Sequence, residues 1–353
     1  MNTINSLRKT EALALTKKRK GEIRIGEMAT FFNDELSLYE NLKKNDCKFV
    51  LLGIPEDIGV RANFGRGGAY SAWKPALENI LSIQSNNFFS GRELMILGEI
   101  NLDDLVAKSK DLSTKIPAEI TQLRNLTSEI DKRVFPVIEL IISLGKIPIV
   151  IGGGHNNTFG ILKGCNLGLQ KLHPNKKIKV HAINCDAHTD FRPIEGRHSG
   201  NGFSYAFEND YLNKYAVIGV HENYLTSDAE QKFNIKKRNL LLSTYEDIFI
   251  REKISFEQSI LKAIQFLKNN SFCGIEIDLD AITNVPSSAK TSSGISPVQG
   301  RKYIYKCAQR LNAMYLHIAE GAPVLAHLKA DNKTGKLIGY LVTDFIKGVI
   351  EKK

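Results

Sequence analysis

The sequence predicts an α/β domain built on a mainly parallel sheet with helices on both faces. Short apolar runs alternate with longer helical patterns along the chain. Acids and histidines gather just after the apolar runs, at Asp57, His155, Asp186–Asp190, His221–Glu222, Asp278–Asp280 and Glu320. Strand–helix alternation argues for a parallel sheet covered on both sides, and polar residues at strand ends mark where such sheets bind ligands. No linker, low-complexity tract or internal repeat intervenes. The chain therefore reads as one domain, 1–353, with 1–45 as a basic N-terminal extension.

Each element has its own signal. Phe49–Ile54 (FVLLGI) reads as a buried strand and is followed by the loop PEDIGVRANFGRGGA. Leu94–Ile96 is a weaker strand. Thr121–Leu144 carries apolar residues at helical spacing, with a kink expected at Pro136. Ile147–Ile151 is a strand running into Gly152-Gly153-Gly154-His155, and Ile178–Cys185 is another, ending at Asp186. Ala216–Val220 and Leu240–Ser243 follow. Phe256–Leu267 is helical, Cys273–Leu279 a strand, Pro297–Leu311 helical and Tyr315–Ala319 a strand. The stretch to Lys353 is helical.

Composition excludes other classes. Hydrophobic residues make up 42% and charged residues 24%, which fits a globular chain and not a disordered one or a coiled coil. The net charge, 48 − 38 = +10, suits an anionic partner. Part of it is terminal: Arg8, Lys9, Lys17, Lys18, Arg19, Lys20 and Arg24 face only Glu11 and Glu22 within residues 1–24. This run is expected to be a solvated helix face. Nucleic acid is not the expected partner, since no aromatic is interleaved to stack on bases. Five dispersed cysteines without a CxxC pair fit reduced core thiols in a cytoplasmic protein. Neither a signal peptide nor a membrane helix is expected.

The strongest chemical segment is Asn184-Cys185-Asp186-Ala187-His188-Thr189-Asp190. Its ligand-type residues alternate, and on an extended chain alternate side chains share a face. Cys185 should then point away from them. Asp278-Leu279-Asp280 repeats the pattern, and His155 follows glycines that permit a sharp turn. Four aspartates and two histidines exceed one tetrahedral zinc. They suit manganese, or two such ions sharing carboxylates and holding a bridging hydroxide. Taken alone, a DxD is as readily a loop acid or a magnesium ligand, and GGGH is common. The combination at strand ends favours a metal centre.

The set IGGGH, NCDAHTD and EIDLD resembles the ureohydrolase superfamily of arginase, agmatinase and formimidoylglutamase, from about Leu51 to Glu320. The resemblance implies a three-layer α/β/α arginase-type fold and a homo-oligomer, trimer or hexamer. It also implies two Mn2+ per chain held by His155, Asp186, His188, Asp190, Asp278 and Asp280. Gly53–Ala69 is similar to the family's first loop in its formimidoylglutamase form. His317–Pro323 is similar to a late segment whose acid is structural, which makes Glu320 a support residue.

For the substrate, Ser199-Gly200-Asn201 matches the SGN motif with which arginases hold an amino-acid end, and Asp190-Phe191-Arg192 matches formimidoylglutamase. An arginine fork suits a substrate bearing two carboxylates. Three departures count against arginase. Phe203 stands near an expected histidine, Gln299 takes the place of a guanidinium-gripping glutamate, and Tyr224 that of an acid for an α-amino group. The implied reaction is hydrolysis of N-formimino-L-glutamate to L-glutamate and formamide in histidine breakdown. Asp190 would hydrogen-bond the hydroxide and pass its proton to the leaving amine, and Arg192, Ser199 and Asn201 would orient the anionic substrate. A guanidino-acid ureohydrolase, an inactive metal-binding paralogue and a nucleic-acid-binding protein are the alternatives. His221 and His317 are expected to be satisfied core or strand-end residues, His198 either structural or functional, and His173, His181 and His327 structural or surface.

Overall fold

In the computed structural model, which describes residues 3–268, 271–326 and 333–352, alternate residues of the central strands enter two separate apolar cores. Phe49, Leu51, Ile149, Ile151, Ile183, Cys185, Ile275 and Ile277 face one side. Val50, Leu52, Val150, Val180, Ala182 and Tyr215 face the other. Helices Trp73–Leu81, Phe256–Leu267, Pro297–Arg310 and Lys333–Ile350 cover the first face. Pro117–Ser143 and Asn157–Leu172 cover the second. Three layers result because each strand buries both of its faces.

The strands are β1 (Ile4–Ser6), β2 (Thr30–Phe31), β3 (Phe49–Gly53), β4 (Leu94–Ile100), β5 (Ile147–Ile151), β6 (Val180–Cys185), β7 (Lys214–Val220), β8 (Leu240–Thr244), β9 (Phe272–Asp278) and β10 (Asn312–Ala319). Their order is β1-β4-β3-β5-β10-β9-β6-β7-β8, with β2 also on β4. Neighbours run parallel except β1, which is antiparallel to β4. The adjacent strands β5, β10, β9 and β6 therefore end together, and the residues after them become neighbours.

Four expectations change. The chain before residue 45 is not an appendage: β1 and β2 pair with β4, and Ala12 and Ile25 are fully buried. Lys17 to Lys20 are exposed but lie in a loop after the helix Lys9–Leu15, so they form no helix face. β4 runs past Ile96 to Ile100, because Gly98 lets β1 come close; a Cβ there would lie 2.1 Å from the Asn5 carbonyl oxygen. The long helix starts at Pro117 and passes through Pro136 without ending. Proline at its start costs no intrahelical bond. No helix among the described residues is long and apolar enough to cross a membrane. His327 lies outside the described residues.

Candidate metal centre and substrate cleft

Gly152 and Gly153 have φ of 83° and 71°, the left-handed region that glycine enters without penalty. A Cβ on Gly153 would come within 2.8 Å of both Glu56 Oε1 and the Ile54 carbonyl oxygen. The turn thus aims His155 at the ends of β6 and β9. Its Nδ1 lies 3.3 Å from Asp186 Oδ2, 2.8 Å from Asp190 Oδ2 and 3.2 Å from Asp278 Oδ2. His188 Nδ1 lies 3.5 Å from Asp186 Oδ1 and 3.2 Å from Asp280 Oδ2.

All six expected ligands therefore converge, in two sets that share Asp186: His155, Asp186, Asp190 and Asp278, and Asp186, His188 and Asp280. The route differs from the extended segment expected. Residues 186–190 bend, His188 N donates to Asp186 Oδ1 at 2.7 Å, and Asp190 sits at φ 46°. Aspartate tolerates that conformation better than most residues. Cys185 faces the apolar core on the far side.

Burial and the neighbouring Asp186 push the Asp190 carboxyl up to about 6. Asp186 is itself fully buried, yet His155 and His188 hold it below the usual carboxylate range. His155 Nδ1 and Asp280 Oδ1 are buried without a hydrogen-bond partner. Crowded lone pairs with unsatisfied buried atoms are the donor set of a cation site, and oxygen with imidazole suits a divalent ion such as manganese.

Two buried carboxylates hold this arrangement, and sequence reasoning missed both. Glu276 accepts from Thr158 Oγ1 at 3.2 Å and from Tyr315 Oη at 2.5 Å, and contacts His155 Nε2 at 3.3 Å and His317 Nδ1 at 2.6 Å. Burial would raise its pKa, but the two imidazoles hold it at about 2. The alternation Glu276-x-Asp278-x-Asp280 was the available signal. Glu56 accepts from Gly154 N, Asn156 Nδ2 and Asn157 Nδ2 through Oε1, and from Ile58 N and Gly59 N through Oε2. Only the distance of Glu56 from the other motifs hid it. Glu320, at φ 63°, accepts from His155 N at 3.0 Å; burial, with Asp280 and Asp190 nearby, pushes it up to about 8. Through that bond it holds the backbone at His155, and it also lines the cleft.

A cleft of about 180 Å³ opens over the candidate ligands. Val60, Asn63, Phe64, Arg192, Ser199 and Tyr224 are among the residues lining it, and Arg192 is the only lysine or arginine among the described residues that do. Asn63 Nδ2 donates to Ser199 Oγ at 3.3 Å, which adds an amide that sequence reasoning had not singled out. Tyr224 stacks on His188 with ring centroids 5.0 Å apart.

One expected substrate contact, Asn201, lies elsewhere, as does Gln299, the departure noted at the guanidinium-gripping position. Asn201 is fully buried, and its amide is spent on Arg197, His198 N, Gly196 O and Pro193 O, so it shapes the loop instead of meeting substrate. Gln299 caps the helix Pro297–Arg310 by accepting from Ser296 N at 2.7 Å and is not among the residues lining the cleft. Phe203 is buried with its ring edge-on to His155, 5.4 Å between centroids. His198 and His317 are satisfied internally, and His221 stacks on Tyr245.

Residues 47–347 match the family model described as "Arginase family". A formimidoylglutamase of Streptococcus pyogenes serotype M6 is 29% identical over 306 residues, 84% of this chain and 76% of that protein. Among solved structures, the formimidoylglutamase of Bacillus subtilis superposes with a TM-score of 0.72 at 16% identity, covering 96% of this chain and 95% of that one. A Trypanosoma cruzi formiminoglutamase, solved with Mn2+, gives 0.68 at 18% identity, covering 94% and 100%. At these identities the two structures speak to the fold alone.

Proposed function

This chain belongs to the arginase family, and from that premise we propose that it hydrolyses N-formimino-L-glutamate to L-glutamate and formamide at a centre of two manganese ions. Membership makes it a hydrolase of C–N bonds in linear amidines. The observation that carries the finer reading is Arg192, the only lysine or arginine among the described residues lining a cleft that His188, Asp190, Asp278 and Asp280 also line. The names of the relatives agree with it.

His155, Asp186, Asp190 and Asp278 would hold one ion, and Asp186, His188 and Asp280 the other. Bound there, divalent cations act as Lewis acids and make water acidic enough to supply hydroxide near neutral pH. The chain's own groups do the rest. Arg192 offers a planar fork to a carboxylate, beside Ser199 Oγ and Asn63 Nδ2. The scissile amidine then lies toward the floor. Asp190 takes the proton of the attacking water and returns it to the nitrogen that leaves with glutamate. A carboxylate within reach of both groups can carry out both transfers.

The test is a manganese-supplemented screen of formiminoglutamate, arginine, agmatine and guanidinobutyrate, read as glutamate or urea release. Formiminoglutamate should be cleaved fastest. Faster urea release from arginine or agmatine would overturn the substrate.

A further inference from the structure

We propose that Arg197 is a positioning residue that fixes the loop carrying His155 against the loop carrying Arg192 and Ser199. The proposal rests on the metal centre read above. The Arg197 side chain is 4% exposed. Its Nε donates to Asp131 Oδ2 at 2.8 Å and its Nη2 to Asp131 Oδ1 at 3.3 Å, a bidentate pair with the helix Pro117–Ser143. The same Nη2 donates to the Asn156 carbonyl oxygen at 2.6 Å, one residue beyond His155. Nη1 donates to Asn201 Oδ1 at 2.7 Å. Through Asn201 the grip extends to Gly196 O and Pro193 O, at 2.8 and 3.3 Å, which closes the loop after Arg192. Phe159 and Tyr205 each hold the guanidinium carbon 4.9 Å from their ring centroids.

Stability alone is a poor account of this group. Burying an ion pair is costly, and well-packed apolar residues often replace one without loss. What no apolar residue could do is bind, with one rigid fork, a backbone oxygen beside a metal ligand and the amide that closes the substrate loop. The loops already touch: a Cβ on Gly202 would lie 3.0 Å from the His155 carbonyl oxygen. Releasing the fork lets ligand and substrate residues drift apart, and outer partners of this kind typically carry 10–100-fold in metal affinity or activity.

The deciding measurement compares the parent with Asp131→Leu/Arg197→Met, which removes both charges, and with Arg197→Lys, which keeps the charge but not the fork. Arg301→Met serves as control, because the Arg301–Asp344 pair joins two helices away from the cleft. Manganese affinity is read by equilibrium dialysis, folding by thermal melting, and KM with formiminoglutamate at saturating manganese. The double variant should melt as a folded protein, bind manganese 10–100-fold more weakly and show a raised KM. Arg197→Lys should show a smaller loss of the same kind, and decides the matter if the double variant does not fold. Parent-like manganese affinity and KM in a folded variant would overturn the proposal, as would an equal loss in Arg301→Met. A parent that binds no manganese would overturn the metal reading and this inference together. A parent that binds manganese but spares formiminoglutamate would overturn the substrate alone.

Discussion

His155 Nε2 lies 3.3 Å from Glu276 Oε2, and the same oxygen lies 2.6 Å from His317 Nδ1. An ionised carboxylate only accepts, so His155 must carry its proton on Nε2. With a cation bound, its Nδ1 would offer that cation the lone pair beside Asp186, Asp190 and Asp278. A carboxylate behind a histidine in this way sets both the tautomer and the ring orientation of a metal ligand.

Glu276→Gln should therefore weaken manganese binding about 10–100-fold with little change in volume. The glutamine NH2 would face the hydroxyls and imidazoles that now donate to the carboxylate. Equilibrium dialysis reads the effect; unchanged affinity would mean that His155 is oriented by packing alone.

Asp186 belongs to both ligand sets, whereas His188 belongs to one. The purified chain should hold about two manganese ions. His188→Ala should lose one of them and Asp186→Ala should weaken both, as read by elemental analysis after dialysis. Asp278→Ala should lose at least one. Full metal content in the aspartate variants would refute the site.

Arg192→Ala removes a charge-assisted contact worth about 1.5–3 kcal/mol. At roughly 1.4 kcal/mol per tenfold, kcat/KM for formiminoglutamate should fall about 10- to 150-fold. Arg192→Lys should recover part of this, since it keeps the charge without the fork. Manganese content should not move. A kcat/KM equal to the parent's would remove Arg192 from the substrate contacts.

His198 Nδ1 accepts from Gly200 N at 3.1 Å and so must be unprotonated to hold the Ser199 turn. Burial and the Arg124 charge hold its pKa down at about 4. Between its ordinary value and about 4, the unfolded chain binds a proton that the folded chain refuses, so stability is lost as pH falls through that window. Thermal melts from neutral pH downward should show a shallower loss for His198→Asn, whose oxygen can accept in place of Nδ1. Identical slopes would assign the acid sensitivity to other groups.

The sequence by itself determined the layer architecture and the six candidate ligands. Buried strands such as Ile147–Ile151 announce themselves by composition, and each ligand sits within a residue or a few of a strand end, so short-range pattern was sufficient. Only the tertiary structure decided which strands lie side by side, and hence that Asp186 is shared and that Glu276 stands behind His155. It also separated Arg192, which lines the cleft, from Asn201, whose amide is turned inward to Arg197, although both belong to the same loop. The physical reason is that a motif records residue type and spacing along the chain. Whether a polar atom meets substrate or is spent on its own loop depends on partners brought from elsewhere, as Asp131 and Asn156 are brought to Arg197.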